Sequence, residues 1–313
     1  MSLIELLARF PDEDSCRRFL EQKRWPTGEI KCVRCGSKAY RLKARPFHYL
    51  CKSGKQSPDP ETRKPVTCSK QNGYRFSVIT RTVFENTNYP VREWFRVIFL
   101  MFHSKKGMSA HQIHRMIGTG SYETAWYMCT RIRAAMKGDV IPPLTGEVEV
   151  DETYIGGKEK NKHWATKNWE EHPRGQRGGA GKVAVIGAIS RKGSVICQAI
   201  DEFGFDTFDN FLRKTVAESE KVRLLATDEH SGYRNWRKYG YDHRTVNHSR
   251  DEYVVGTVHT NTIESFWSLL KRGIVGSYHH VSKQYLPLYL NEFSFRFNNR
   301  HNPDIFDKII ASC

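Results

Sequence analysis

The stretch EVEVDETYIGG, residues 147–157, decides the fold. Its valines and acids alternate with the period of two of a β-strand, so Val148 and Val150 face one side and Glu147, Glu149 and Asp151 the other. Like charges along one strand face repel, and burying them is costly unless a cation neutralises them. At least one of the three therefore reads as a ligand, with Asp151 favoured at the strand's end. Downstream, VAVIGAIS (183–190) and SVICQAI (194–200) read as consecutive strands around the turn RKG, with a glycine-rich basic loop over 157–182 before them. A helix follows from about Thr207 to Glu218, and VRLLATD (222–228) is a strand that ends on Asp228. Helices are predicted over Asn261 to Arg272 and Ser282 to Asn298. Strands first, then a helix, another strand and closing helices predict an α/β domain with a mixed sheet.

IPPLTG (141–146) marks the start of that domain, expected over 141–313. Upstream, apolar spacing from Ile4 to Lys23 predicts two short helices broken at Pro11. Residues 29–80 mix aromatic and basic residues among Gly and Pro, which suits short strands and knuckles. Lys52 to Pro65 reads as an exposed insertion loop. These parts form an expected N-terminal domain, 1–88. Over 89–140, Pro90 opens the apolar helix VREWFRVIFLMFH, and AHQIHRMI is followed by the turn GTGS and a helix from Tyr122 to about Met136. Two helices across a Gly-containing turn fit a helix-turn-helix-like region, with Arg131 and Arg133 near the end of the second as DNA contacts.

Charge supports a nucleic-acid partner. The 313 residues hold 50 Lys and Arg against 34 Asp and Glu, a formal +16. Residues 1–146 carry 26 of the basic and 12 of the acidic side chains, so nearly all the excess is N-terminal. Such a field favours salt-sensitive association with a polyanion. With 39% apolar and 12% aromatic residues the chain is not a disordered basic tail. The longest apolar run, Trp94 to Phe102, is broken by Arg96, and the N-terminus lacks a secretory pattern, so a cytoplasmic, nucleoid-associated protein is expected.

Four of eight cysteines lie between Cys32 and Cys68, which favours metal over disulfide in a reducing compartment. Cys32 and Cys35 form one knuckle. Gly54 occupies the position that would complete a second Cys-x-x-Cys after Cys51. Structural zinc is therefore expected on Cys32, Cys35, Cys51 and Cys68, with His48 as the alternative to one of the later cysteines.

Asp151 and Asp228 end apolar strands, where each alone reads as a cap or turn residue. Glu264 lies in NTIESFWSLLKRG, seven residues before Lys271 and three after Asn261, so the three share a helix face. Two strand-end aspartates and one helix-borne glutamate make an oxygen-only set suited to two Mg²⁺ or Mn²⁺ ions about 3.5–4 Å apart. His230 and His259 lie beside these acids in sequence, where they either orient DNA or water or sit as satisfied structural histidines. Trp267 reads as core.

The runs VEVDETYIGGK, ATDEHSGYR, VHTNTIESFWSLLKRG and NEFSFRFNNR resemble the DDE transposases of bacterial insertion sequences of the ISXO type, relatives of the Merlin elements. The Cys-x-x-Cys segment leading to FSVITRTVFENT and REWF resembles the zinc ribbon and helical DNA-binding region of the same family. The resemblance implies an RNase H-like core that cuts and joins transposon ends, with Asp151, Asp228 and Glu264 as the catalytic acids and Lys271 contacting DNA phosphate. Asn261 is the alternative for the third acid, because some members use Asn there. It also implies double-stranded DNA as partner, both transposon ends and target, and a homo-oligomer on that DNA. Two other readings share these residues: a non-catalytic zinc-ribbon DNA-binding regulator, and a two-metal nuclease without strand transfer.

Overall fold

The computed structural model describes residues 1–58, 63–138, 141–157, 182–201, 204–228, 233, 236–246 and 259–313. It divides into two units. The first holds Met1–His103, Ala110–Met136 and Asn302–Cys313, and the second holds Ser104–Ser109 and Lys137–His301.

In the first unit, α1 (Leu3–Arg9) starts at a Ser2–Glu5 capping box and α2 (Glu13–Arg24) at an Asp12–Ser15 one, with Pro11 between them as the sequence predicts. Short strands follow: β1 (Tyr40–Arg41), β2 (His48–Cys51), β3 (Gln56–Pro58), β4 (Pro65–Thr67) and β5 (Tyr74–Ser77). An antiparallel sheet runs in the order β1-β2-β5. The expected insertion loop is instead a hairpin, in which β3 pairs antiparallel with β4. Helices α3 (Val91–His103), α4 (Ala110–Ile117) and α5 (Tyr122–Ala135) complete this part.

The second unit is built on a sheet of β6 (Gly146–Ile155), β7 (Val183–Ser190), β8 (Val195–Ile200), β9 (Val222–Thr227) and β10 (His243–Thr245). Their spatial order is β10-β9-β6-β7-β8. The meander β6-β7-β8 is antiparallel, while β9 lies parallel to β6 and β10 parallel to β9. This is the mixed, RNase H-like arrangement that the resemblance implies. One face packs Val148, Val150 and Ile186 against Phe208, Phe211 and Leu212 of α6 (Phe205–Thr215), with Tyr233 and Trp236. The other packs Ile155, Val185 and Ile189 under α7 (Asn261–Gly273) and α8 (Leu286–Asn298), through Ile263, Phe266, Leu270, Leu290 and Phe293. Each such side chain contributes about 1.5–3 kcal/mol by leaving water.

Helix α6 stops earlier than its periodicity suggests, because Leu144 claims the backbone that would continue it: Leu144 N donates to Thr215 O and Ala217 N to Leu144 O. Helix α8 starts at Leu286, with Pro287 in its first turn, rather than at Ser282. The closing helix α9 (Ile305–Ser312) belongs to the first unit rather than to the expected 141–313 domain. Phe306 packs on Phe10 and Phe95, and Asp307 is bridged by Arg9 at 2.9 Å and Lys23 at 3.0 Å. No described helix is long and apolar enough to cross a membrane.

Candidate active site and thiolate centre

In the first unit the sulfur atoms of Cys32, Cys35, Cys51 and Cys68 all lie within 4.8 Å of one another. Cys32 Sγ is 3.8 Å from Cys68 Sγ, and Cys35 Sγ is 3.6 Å from Cys51 Sγ. Thiolates about 2.3 Å from one tetrahedral Zn²⁺ stand about 3.8 Å apart, so the donor set fits zinc. The β3/β4 hairpin explains how a glycine comes to stand where a ligand is expected. Gly54 N donates to Cys68 O at 2.7 Å and Cys68 N to Lys55 O at 3.0 Å, so the inserted residues leave and return at one point and bring Cys68 to the centre. His48 is turned elsewhere, with Nδ1 2.8 Å from Pro46 O. Burial raises the Cys35 thiol, but hydrogen bonds from Ser53 and Ser37 outweigh it and hold Cys35 down at about 6.

In the second unit, β6 pairs with β9 so that Val150 faces Thr227. The next residue in each is an aspartate: Asp228 directly follows β9, whereas Asp151 lies inside β6, which runs on to Ile155 instead of ending at Asp151 as expected, and the two carboxylates come together across two parallel strands. Carboxylate oxygens of Asp151, Glu152 and Asp228 lie within 4.8 Å of one another. Donor oxygens around one octahedral Mg²⁺ at about 2.1 Å stand about 3–4 Å apart, so this set fits a hard divalent cation. Burial pushes Asp151 up to about 8, helped by the charges of Glu152, Asp228 and Glu264.

Two of these acids are held by donors. Trp267 Nε1 donates to Asp151 Oδ2 at 3.0 Å, and Tyr233 Oη donates to Glu152 Oε2 at 2.6 Å. Burial and the neighbouring carboxylates keep the Tyr233 hydroxyl protonated. Behind Asp228, Thr227 Oγ1 donates to Asp228 O and lies 2.9 Å from His243 Nε2 on β10. The hydroxyl proton goes to the carbonyl, which only accepts, so the ring nitrogen is the donor to Thr227. Glu264 is exposed on α7 and accepts from Thr260 Oγ1 at 2.7 Å, adjacent to the tight acid group but outside it.

Residues 143–298 match the family model of the ISXO2-like transposase domain, and residues 11–56 match that of the transposase zinc-ribbon domain. The chain belongs to the ISXO2-like transposases. A relative from Halobacterium salinarum, described as an uncharacterized protein in transposable element ISH50, is 27% identical over 307 residues, covering 92% of this chain and 91% of its own. Among solved structures, a chain of the simian T-cell lymphotropic virus intasome in complex with PP2A regulatory subunit B56 gamma shares 12% identity at a TM-score of 0.29. The match covers 64% of the transposase and 65% of that chain.

In the transposase the charges of Glu147 and Glu149, on the same strand face as Asp151, are met by arginines: Arg191 binds Glu147 at 2.6 Å and Glu149 at 2.7 Å, and Arg223 also pairs with Glu147. Glu152, which the sequence reading passed over, joins the acid group instead. Period two sends its side chain to the opposite face from Asp151, and only the strand-end position of Asp228 lets both reach it.

The two arginines of α5 expected to contact DNA are placed against protein. Arg133 is buried at 2% exposure. Arg131 donates to the carbonyls of Thr82 and Glu85 and to Tyr127 Oη, which fastens α5 to the preceding segment. The exposed side chains of α5 include Tyr122, Glu123 and Tyr127. On α7, Asn261 and Lys271 are exposed, and Lys271 lines a cleft of about 720 Å³ with Tyr154, Lys182, His279 and His280. His259 Nδ1 lies 3.2 Å from Glu149 Oε1, and His230 lies outside the described residues, as do 158–181 of the basic loop.

Proposed function

We propose that this transposase binds the terminal inverted repeats of its insertion sequence, hydrolyses a phosphodiester at each end and transfers the freed 3′ end to target DNA. The observation that carries the reading is the convergence of Asp151, within β6, and Asp228, directly after β9, in the part of the chain that matches the transposase domain. Two Mg²⁺ or Mn²⁺ ions held by Asp151, Asp228 and Glu264 would supply an activated water or 3′-hydroxyl and a neutralised leaving oxygen.

The chain's own residues do the rest. Trp267 fixes the Asp151 carboxylate and Tyr233 fixes Glu152, so the oxygens that face the cation are oriented before it arrives. Lys271, exposed two turns along the helix from Glu264, draws a DNA phosphate toward the acids, and Asn261 contacts DNA at the start of that helix. No side chain forms a covalent bond to phosphorus. The basic N-terminal region supplies most of the DNA affinity, two copies of the chain hold the two ends together, and the protein works in the cytoplasm on the nucleoid.

Labelled terminal-repeat DNA incubated with the protein and Mg²⁺ tests this. Strand-transfer products support the proposal. Cleavage without joining leaves a two-metal nuclease, and binding without cleavage leaves a regulator.

A further inference from the structure

Helix α7 carries Glu264 and Trp267, so whatever sets its position sets both groups against Asp151. A helix leaves its first four N–H groups without partners, and a side chain at the N-cap commonly takes one. The N-cap of α7, Thr260, makes no such bond. Its hydroxyl donates instead to Glu264 Oε1 at 2.7 Å.

The cap comes from the sheet. Glu149 Oε2 accepts from Thr262 N at 2.8 Å and Ile263 N at 3.0 Å, and Glu149 Oε1 accepts from Thr262 Oγ1 at 2.9 Å. The carboxylate is fully buried at 0% exposure and faces both the positive end of the helix and the Arg191 guanidinium, whose Nε is 2.7 Å away. Arg191 also donates to His259 O at 3.0 Å, tying down the chain as it enters α7.

We propose that Glu149 is a positioning residue for catalysis: it locks α7 onto β6 so that Glu264 and Trp267 stand in register with Asp151. Glu149 and Asp151 are alternate residues on one strand face, about 6.8 Å apart along the strand. Their partners, the amides of Thr262 and Ile263 and the indole of Trp267, are four to five residues apart on the helix, a rise of about 6–7.5 Å. Strand step and helix step match, so two contacts from one strand fix both the rotation and the translation of α7. Because the sheet supplies the cap, Thr260 is left to orient Glu264. This inference rests on the transposase reading.

The test uses the full chain. Glu149→Gln is combined with Glu264→Gln, and Thr262→Val, which removes only the hydroxyl donor, is the milder second variant. Single-turnover cleavage and affinity for terminal-repeat DNA are measured for each. A displacement of about 1 Å at a catalytic group costs on the order of 100-fold in rate, so that loss is expected for Glu149→Gln, and about fivefold for Thr262→Val, with DNA affinity within about twofold. On the Glu264→Gln background Glu149→Gln should cost no more than about tenfold further and Thr262→Val no more than about twofold, because only the Trp267 contact is left to disturb. Undiminished cleavage, or a loss that multiplies in full onto Glu264→Gln, overturns the proposal and leaves Glu149 a structural cap. If Glu149→Gln does not fold, Thr262→Val is judged by the same two criteria. A wild-type chain that binds the DNA but never cuts it sinks the transposase reading itself, and the catalytic role of Glu149 with it.

Discussion

Trp267 lies over Gly187, the residue that faces Asp151 across the β6/β7 ladder, and its indole N–H reaches the Asp151 carboxylate at 3.0 Å. A Cβ at position 187 would sit 2.6 Å from Trp267 Cη2, so the glycine makes room for the ring that holds the acid.

Gly187→Ala should therefore displace the indole and destabilise the domain by about 1–3 kcal/mol as an overpacked site. Trp267→Phe keeps an aromatic ring and removes the donor. We expect it to slow end cleavage about fivefold to tenfold, the worth of one ordinary hydrogen bond of about 1–1.4 kcal/mol. Thermal denaturation beside single-turnover cleavage checks both.

The Tyr233–Glu152 contact predicts a cation phenotype. Tyr233→Phe frees the Glu152 carboxylate to swing, and Mn²⁺ affinity read by paramagnetic resonance should fall about threefold to tenfold. Glu152→Gln should weaken it further. Equal affinity in both variants would remove Glu152 from the cation site.

The raised Asp151 fixes a sign for pH dependence. Its folded value is about 8, whereas an unfolded aspartate releases its proton near 3.8. Between these values the native state holds a proton that the unfolded chain has lost, so the stability of the cation-free protein falls as pH rises from about 4 to 8. Mg²⁺ must displace that proton, so its affinity rises over the same range, by at most about tenfold per pH unit. Melting temperatures at pH 5, 6.5 and 8, with chelator and with Mg²⁺, should show both trends, and Asp151→Asn should flatten them.

At the thiolate centre, Cys68→Ser should reduce zinc affinity by about 100-fold or more and loosen the ribbon, while His48→Ala should leave zinc content unchanged. Metal analysis should give one zinc per chain in the wild type.

Much of this architecture was legible because strands buried on both faces write themselves as apolar runs. VAVIGAIS coincides with β7, and the alternation of EVEVDETYI marks β6. β10 was not legible: HRT is three residues long and polar, and it is a strand only because β9 offers it an edge. Glu152 was hidden by the same periodicity that revealed Asp151. The charged partners of Glu147 and Glu149 were hidden because Arg191 and Arg223 sit in other elements, where only the folded sheet brings them near. The burial of Arg133 was not legible, because charge count says nothing of burial. The role of the inserted hairpin in delivering Cys68 could not be read from spacing, since it depends on two backbone bonds at the hairpin's base.

The central claim is that Asp151 and Asp228 jointly hold the divalent cations of a DNA-cutting site. Anomalous diffraction from crystals soaked in Mn²⁺ measures this most directly. The account predicts manganese density in contact with carboxylate oxygens of both aspartates, lost in Asp228→Asn. Manganese bound elsewhere, or density that persists unchanged without the Asp228 carboxylate, would contradict it.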